Sequence, residues 1–328
     1  MNALVTGVTG FTGGNLARAL CARGHHVRGL VRPASLARAS GLSDAGVDIS
    51  EGDLADPDSL AKACRGRDVV YHVAATYREA GQGTARYRAV NVGGTQSLLE
   101  AALAAGVRRF VHCSTAGVHG HVVRPPANED APLAPGDVYQ RTKLEAEQLA
   151  AAFGRARPLE VVIVRPIGIY GPGDTRFLKM FRGLARGRFP MLGRGRVFYH
   201  LTYIDDLVDG FRLCGEHPAA AGRTYILGGA AYTTLAELVA LVAHEVGGRP
   251  PRLHLPIWPV WLAGALCEGV CVPLGIEPPL YRRRVDFYRK SRAFDISRAR
   301  QELGYNPGVS LQEGIRRTAD WYRAQGLL

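Results

Sequence analysis

A tyrosine and a lysine separated by three residues form the pair in this sequence best suited to proton transfer. Tyr139 and Lys143 occur in the stretch VYQRTKLEAEQL, which predicts a helix over residues 139–153. Positions i and i+4 share one helix face, so the phenol and the ammonium would be neighbours. A phenol has an ordinary pKa of about 10, and a nearby ammonium favours its ionised form. The pair is therefore suited to general acid–base catalysis at neutral pH.

Two hydroxyl residues, Ser114 and Thr115, follow a predicted strand over residues 109–113. Sheets of alternating α/β folds bind ligands at the carboxyl ends of their strands, so either hydroxyl could contact a substrate oxygen. Thr115 is the stronger candidate, because Ser114 could equally cap its own backbone in a turn. We therefore predict a catalytic set in which Thr115 and Ser114 lie beside Tyr139 and Lys143.

Three glycines at three-residue intervals follow the first predicted strand and precede a helix-like segment. Such a turn lets a pyrophosphate approach the backbone, and the N–H groups that begin the following helix bind it. A simple tight turn would also need glycine, but the strand–turn–helix order favours a dinucleotide. The predicted contacts of this turn are Gly7, Thr9, Gly10, Phe11, Thr12 and Gly13.

The end of the second strand predicts which dinucleotide is bound. An acid at this place binds the ribose hydroxyl of NAD, whereas an arginine accommodates the 2′-phosphate of NADP. The predicted strand over residues 27–31 is followed by Arg32, with Ser35 nearby and no acid. The alternative is that Arg32 is an ordinary solvated surface residue. We predict NADP as the cofactor, with NAD as the alternative.

Further cofactor contacts are predicted after the third and fourth strands. Asp53 and Leu54 follow the third strand, where a carboxylate could accept from the adenine amino group. Asp53 could instead cap the helix that follows it. The fourth strand ends in small side chains that would either pass beside the cofactor or pack in the core: Val73, Ala74 and Ala75.

Strand-like and helix-like segments alternate through the first half of the 328-residue chain. This order predicts right-handed βαβ crossovers and a parallel sheet. We therefore expect an α/β fold, namely a Rossmann-type doubly wound parallel sheet with a smaller C-terminal α+β substrate lobe. The dinucleotide-binding domain is expected over residues 1–170 and the substrate lobe over 171–328, with about 197–228 returning to the first domain.

Charge and cysteine content limit the partners and the compartment. The net charge is +12, which favours anionic partners such as phosphorylated cofactors or acidic lipids. The basic residues are scattered without interleaved aromatics, which argues against nucleic acid. Six cysteines show neither a Cys-x-x-Cys pair nor metal-ligand spacing, which indicates a reducing compartment and no metal. With no secretory signal in the sequence, we expect a cytoplasmic protein that binds a small-molecule substrate.

One apolar segment, residues 255–276, is long enough for a bilayer, which needs about 20 residues. It contains three prolines, which argues against a span. The segment could be a buried helix of the substrate lobe. It could instead line an apolar substrate entrance and rest on the inner face of a membrane. Trp258 and Trp261 would then lie at the interface, and the arginines 282–284 would face anionic lipids, giving a peripheral contact through residues 255–292.

Together these motifs resemble the extended short-chain dehydrogenase/reductase superfamily. The resemblance covers almost the whole chain and includes NVGGT, from Asn91, and RPIGIYGP, which contains Pro166. It implies that Tyr139 is the acid–base residue, Lys143 its partner and Thr115 the orienting hydroxyl. It also implies a structural and proton-relay role for Asn91, cofactor contacts for Asn91, Lys143 and Pro166, and a homodimer.

Within this superfamily, the pattern looks more like the 3β-hydroxysteroid and sterol-4-carboxylate dehydrogenases. Nucleotide-sugar 4-epimerases usually have asparagine two residues after the strand-end arginine, where this chain has Ile167. The resemblance implies hydride transfer between NAD(P) and a secondary alcohol or ketone of a bulky, largely apolar substrate, hydroxysteroid-like or β-keto acid-like. The alternatives are a nucleotide-sugar epimerase/dehydratase with bound NAD, and a non-catalytic dinucleotide-sensing protein. The intact Tyr139–Lys143 pair argues against the sensor.

Overall fold

The computed structural model describes residues 1–77, 83–251, 253–271, 274, 276, 278–279 and 285–328. The strands are β1 (Asn2–Thr6), β2 (His26–Val31), β3 (Asp48–Glu51), β4 (Val69–His72), β5 (Arg109–Cys113), β6 (Glu160–Pro166), β7 (Gly168–Tyr170), β8 (Met191–Leu192), β9 (Phe198–Tyr199), β10 (Leu201–Tyr203), β11 (Thr224–Leu227), β12 (Thr233–Thr234) and β13 (His254–Leu255). The helices are α1 (Phe11–Ala22), α2 (Ser40–Ser43), α3 (Pro57–Cys64), α4 (Thr84–Arg88), α5 (Gly94–Ala104), α6 (Val138–Ala156), α7 (Leu178–Ala185), α8 (Ile204–Glu216), α9 (Leu235–Glu245) and α10 (Ile257–Cys271), followed by Ser297–Leu303 and Leu311–Ala324.

A seven-stranded parallel sheet forms the centre of the fold, in the order β11-β6-β5-β4-β1-β2-β3. The chain reverses its direction of winding between β1 and β4, and doubly wound sheets bind their ligands at such a switch point. The predicted α/β fold with a doubly wound parallel sheet is confirmed. The ends of β1, β4 and β5 consequently lie side by side at one edge of the sheet.

Alternation along the strands places side chains on both faces of the sheet. In β4 and β5, Val70 and Phe110 pack on one face, while Tyr71 and Val111 pack on the other. Helix α5 packs between α3 and α6, and α1 packs against α8. Because helices cover both faces, the central strands β4 and β5 are buried along their whole length, and most of their side chains are apolar.

The C-terminal part adds three two-stranded sheets, formed by β7 with β10, β8 with β13 and β9 with β12. Helix α9 packs against α7 and against the helix Leu311–Ala324. Strand β11, although late in the chain, joins the main sheet beside β6. The division into separate domains stays a prediction.

Helix α10 corresponds to the long apolar segment of the sequence. Its one buried residue is Gly264, whereas Trp258, Leu262, Leu266 and Val270 are exposed. The expectation of a buried helix is therefore wrong. Apart from Glu268, the residues of this helix are apolar or glycine or proline, so they show no periodicity to indicate which side is covered.

The described helices include none that is both long enough and apolar enough to cross a membrane. The arginine cluster Arg282, Arg283 and Arg284 lies outside the described residues.

Candidate active site

The turn between β1 and α1 is built from glycines that leave no room for side chains. Gly7 has a φ of 73°, and a Cβ there would lie 2.9 Å from the Cα of Ala74. A Cβ at Gly13 would overlap the carbonyl oxygen of Gly7. Gly10 precedes α1 and supplies no capping side chain. The first N–H groups of α1 stay open to a phosphate, so this turn fits the pyrophosphate of a dinucleotide.

A later loop lies against this turn. The other predicted contacts, Thr9, Phe11 and Thr12, are half-buried. A Cβ at Gly173 would lie 3.4 Å from the Phe11 ring, and the guanidinium of Arg176 lies 5.7 Å from the centre of that ring. The loop after β7 thus packs against the first residue of α1, a contact that the sequence does not reveal.

A threonine at the end of β1 ties the neighbouring strand end to the glycine turn. The Thr6 hydroxyl accepts hydrogen bonds from the N–H groups of Val73 and Ala74, each at 3.1 Å. It also lies 2.9 Å from Nδ1 of His72, whose Nε2 lies 2.9 Å from the Thr95 hydroxyl. Burial lowers the pKa of His72 to about 3. The sequence motifs give no role to Thr6 or His72, although each is the polar last residue of a mostly apolar strand.

The backbone beyond Ala75 is held by Asn91, which lies in a π-helical segment. The Asn91 side chain accepts from the Thr76 N–H at 2.8 Å and donates to the Thr76 carbonyl at 3.3 Å. It also donates to the Thr142 hydroxyl at 3.0 Å. Asn91 therefore links the loop after β4 to helix α6.

The residues after β3 form a turn. The Asp53 carboxylate accepts from the Ala55 N–H at 2.9 Å, while Asp56 is the residue that caps α3. The alternative that Asp53 caps this helix is therefore wrong. Leu54 is buried against α5, where a Cβ at Gly94 would lie 2.9 Å from the Leu54 Cβ.

The end of β2 carries exposed cations. Arg32 is exposed, and its guanidinium has no hydrogen bond or ion pair within the part of the chain that the structure describes, although its carbonyl accepts from the Ser35 N–H at 2.8 Å. Ser35 is buried, and its hydroxyl accepts from Arg38 at 2.7 Å. Arg38 is a second exposed cation near the end of β2, and no sequence motif singles it out.

The two hydroxyl residues after β5 differ in their surroundings. Thr115 is half-buried, and its oxygen accepts from the Gly117 N–H at 3.0 Å, so its O–H hydrogen stays available. Ser114 is buried, and its hydroxyl donates to Glu147 at 2.5 Å. The prediction of a catalytic Ser114 is therefore wrong, because its hydrogen is held by a buried carboxylate. Thr115, not Ser114, is the residue that caps the turn.

Tyr139 lies in the first turn of α6. This helix begins after Asp137, whose carboxylate accepts from the Gln140 N–H at 2.8 Å. The Tyr139 ring is half-buried and meets the ring of Tyr77 edge-on, with the centres 4.8 Å apart. The cap sets the first residue of the helix. Because each helical position has a fixed direction relative to that start, the cap also sets the side of the helix on which Tyr139 lies.

Lys143 follows one turn later and is 1% exposed. Burial lowers the pKa of its ammonium, whereas Cys113 and Glu147 raise it. Because Cys113 ends β5 two residues before Thr115, Lys143 lies beside the end of that strand. Among the residues described by the structure, no side chain or carbonyl forms a hydrogen bond or ion pair with the ammonium of Lys143. A buried, unpaired ammonium could donate a hydrogen bond to a ribose hydroxyl of the cofactor, so Lys143, like the glycine turn, fits a bound dinucleotide.

The end of β6 borders the same edge of the sheet. Pro166 is buried and pairs in register with Leu227 of β11. Ile167 is also buried. The site therefore has an apolar residue where nucleotide-sugar epimerases usually carry an asparagine.

A sequence model of the NAD dependent epimerase/dehydratase family matches residues 3–228. The chain belongs to this family. The match covers the glycine turn, the strand ends and the Tyr139–Lys143 helix. The chain is accordingly an enzyme of a family that depends on a nicotinamide cofactor.

Two curated relatives resemble nearly the whole chain. A Mycobacterium tuberculosis 3β-hydroxysteroid dehydrogenase/Δ5→4-isomerase is 33% identical over 97% of this chain and 90% of its own length. A 2-alkyl-3-oxoalkanoate reductase of Stenotrophomonas maltophilia is 32% identical over 97% and 98%. A solved short-chain dehydrogenase/reductase superfamily protein from Agrobacterium tumefaciens, with bound NAD, matches with a TM-score of 0.77 at 27% identity, covering 99% and 98% of the two chains.

Proposed function

We propose that this enzyme transfers hydride between a nicotinamide cofactor and a secondary alcohol or ketone. The observation that carries the proposal is the ammonium of Lys143, buried and without a partner among the described residues, one helical turn after Tyr139. Burying a charge costs free energy, and sites with perturbed charges concentrate where chemistry is done. A cation in this position favours the ionised form of the neighbouring phenol.

Each catalytic side chain has one task in this proposal. Tyr139 exchanges a proton with the substrate hydroxyl, and Lys143 tunes that phenol and holds a ribose hydroxyl. The Thr115 oxygen already accepts from the Gly117 N–H, which leaves its O–H hydrogen available. Thr115 donates this hydrogen to the substrate oxygen. The cofactor, when bound, supplies or accepts the hydride. The glycine turn and the strand-end residues hold the dinucleotide in place.

The substrate is proposed to be bulky and largely apolar. Relatives named for hydroxysteroids and for 2-alkyl-3-oxoalkanoates are each about one-third identical to this chain. Ile167 gives the end of β6 an apolar side chain. These observations favour a hydroxysteroid-like or β-keto acid-like substrate over a nucleotide sugar.

NADP is the proposed cofactor. Arg32 lies at the end of β2, where a 2′-phosphate would lie, and its exposed guanidinium has no partner in the described ranges. An arginine can bind a phosphate with two parallel hydrogen bonds, a geometry that a hydroxyl does not reproduce. The exposed Arg38 adds positive charge at the same end.

A substrate panel monitored by NADPH absorbance tests the proposed function. We expect net oxidation of NADPH with apolar ketones, among them 3-oxosteroids and 2-alkyl-3-oxo acids. Conversion of a nucleotide sugar without net redox, by protein that retains NAD through purification, would establish the epimerase alternative. Cofactor binding without any turnover across the panel would favour a dinucleotide sensor.

A contact with an anionic membrane surface is also proposed, through α10. Trp258, Leu262, Leu266 and Val270 recur every four residues, and each is between 46% and 70% exposed. The guanidinium of Arg289 lies 5.4 Å from the Trp261 ring on the same helix. A cation beside an exposed apolar stripe, on a protein with a net charge of +12, complements acidic lipids. We propose the cytoplasmic face of the membrane as the place of action; the homodimer stays a prediction.

A further inference from the structure

A buried ion pair lies directly behind the catalytic residues. Arg165, at the end of β6, donates from Nε to both carboxylate oxygens of Glu147 at 3.2 Å, and from Nη2 to one of them. Both side chains are only 6% exposed. The other terminal nitrogen of Arg165 donates to His119 Nε2 at 3.0 Å and to the Glu129 carbonyl at 2.8 Å. Arg165 is thereby fixed on several sides, and it holds the carboxylate of Glu147 in one orientation.

The same carboxylate reaches the strand that carries Thr115. One oxygen of Glu147 accepts from the Ser114 hydroxyl at 2.5 Å. Ser114 is also held by its backbone, which donates to the Val164 carbonyl at 2.7 Å. Because Ser114 is bonded directly to Thr115, the orientation of Ser114 limits where the Thr115 hydroxyl can lie. Glu147 therefore joins helix α6 to the ends of β5 and β6.

Glu147 also lies one helical turn after Lys143. We propose that Glu147 is a positioning residue, which orients Thr115 through Ser114 and keeps Lys143 in its charged form. This inference rests on the proposed function, because it assigns Lys143 and Thr115 the roles given there. It also provides a reason for Ser114, whose hydroxyl is not free for a substrate.

Two described groups, Cys113 and Glu147, raise the pKa of Lys143, and of these Glu147 carries the negative charge at neutral pH. Burial raises the pKa of the Cys113 thiol to about 11, so this group is neutral at neutral pH. Burial, together with the charge of Lys143, lowers the pKa of both His72 and His112, so neither ring adds charge. Arg165 acts in the opposite sense to Glu147, but its charge is shared with the carboxylate it binds.

Three variants separate the two tasks of Glu147. Glu147→Gln removes the charge and weakens the hold on Arg165. Ser114→Ala removes the link to Thr115 and keeps the charge. Glu147→Asp keeps the charge but shortens the reach to Ser114. The matched control is Glu145→Gln on the same helix, because Glu145 pairs with Arg88 at the surface.

We expect Ser114→Ala and Glu147→Asp to lower kcat on the order of 10²-fold with little change in KM, as a displacement of about 1 Å can do. Their loss of activity at alkaline pH should begin where that of the wild type begins. Glu147→Gln should lower kcat as well. Without the anion the pKa of Lys143 falls further, so the alkaline loss of activity should begin at lower pH. Glu145→Gln should match the wild type in both respects.

The pH profile of NADPH affinity gives a second reading that needs no substrate. As the pH is raised, the loss of NADPH affinity should begin at a lower pH in Glu147→Gln than in Ser114→Ala or the wild type, because Lys143 loses its charge at a lower pH. An unshifted profile in soluble, folded Glu147→Gln would overturn the electrostatic task, and a wild-type kcat in Ser114→Ala would overturn the orienting task. If Glu147→Gln does not fold, the kcat values of Glu147→Asp and Ser114→Ala test the orienting task. Glu147→Asp then also tests the electrostatic task. Because this variant keeps the charge, an alkaline loss of NADPH affinity that begins at a lower pH than in the wild type would overturn that task. Wild-type protein that binds NADPH but reduces nothing would contradict the proposed function and leave this binding test intact.

Discussion

Lys143 and Arg32 are both cations of the proposed cofactor site, but they differ in how much free energy is lost by removing their charge from water. Arg32 is exposed and keeps its solvent, whereas Lys143 is 1% exposed and carries its charge in the interior. Transfer of a charge out of water is costly unless a partner compensates for it. The site therefore loses stability by burying the charge of Lys143, whereas the exposed Arg32 can bind a phosphate without such a cost.

Replacing Lys143 by methionine should lower activity by about 10²–10⁴-fold and leave the protein as stable as the wild type or more stable. Methionine fills a similar volume without a charge to desolvate. Burial depresses the pKa of Lys143 below its ordinary value of 10.5, so the folded state binds the proton less well than the unfolded state. The destabilisation is therefore largest below the folded pKa and is relieved as pH rises toward 10.5.

Thermal melting of both proteins across this pH range, beside turnover at neutral pH, checks the prediction. The difference in melting temperature should narrow as the pH increases. A Lys143→Met variant that melts well below the wild type would contradict the prediction, because it would show that Glu147 more than offsets the cost of burying the ammonium.

Arg32→Ala should remove most of a preference for NADPH over NADH. A charge-assisted contact with a 2′-phosphate contributes roughly 1.5–3 kcal/mol, which is about ten- to a hundred-fold in affinity. Fluorescence titration of both cofactors measures the ratio. The control is Arg23→Ala, an exposed arginine at the opposite end of α1 from the glycine turn. Equal affinity of the wild type for the two cofactors would contradict the NADP assignment.

At the scale of the elements, the glycine turn has two separable tasks. Gly13 allows α1 to pack against the end of β1, because a Cβ there would overlap the Gly7 carbonyl oxygen. Gly10 is exposed, and its nearest neighbour to an added Cβ would be that same oxygen at 3.2 Å. One glycine therefore serves packing, and the other leaves the N-terminus of the helix open.

Gly13→Ala should destabilise the protein by about 1–3 kcal/mol, the usual cost of overpacking a close contact. Gly10→Ala should change stability much less and mainly weaken cofactor binding, because its methyl group would occupy space beside the phosphate site. Chemical denaturation and NADPH titration of the two variants measure both quantities. Equal losses of stability would contradict this division.

Local patterns make several elements predictable. The helix around Tyr139 and Lys143 follows from spacing and extends slightly further than predicted, from Val138 to Ala156; Asp137 caps its N-terminal end. The hydrogen bond from Ser114 to Glu147 joins residues 33 positions apart, and no local pattern reveals it. The exposure of α10 is equally hard to predict, because a segment with apolar residues on every side does not indicate which side faces the core. Local signals thus predict the elements, and long-range contacts decide what individual polar groups do.

For the whole molecule, the uncovered apolar stripe of α10 and the positive net charge point in the same direction. Exposed apolar side chains that recur along one helix rarely stay in water without a partner. The stripe lies beside a cation, at Arg289, and contains a tryptophan, at Trp258. An apolar substrate dissolved in lipid would then lie close to the enzyme that converts it.

The wild type should sediment with anionic liposomes at low salt and be released at high salt. Changing Leu262 and Leu266 to serine should weaken this binding, because it removes apolar area from the interface. Val123→Ser is the control, since Val123 is 78% exposed and lies outside the helix. Wild type that stays in the supernatant would contradict the membrane contact. A dimer that dissociates in the double variant would show that a second copy covers the stripe.

The central claim is that Tyr139 transfers the proton that accompanies hydride transfer. Its most direct test compares Tyr139→Phe with the wild type on one reducible ketone, alongside the NADPH affinity of each protein. The exposed Tyr232→Phe serves as the control. We predict that turnover of Tyr139→Phe falls by about 10²–10⁴-fold while its NADPH affinity stays close to that of the wild type. A Tyr139→Phe variant that reduces the ketone at the wild-type rate would contradict the account.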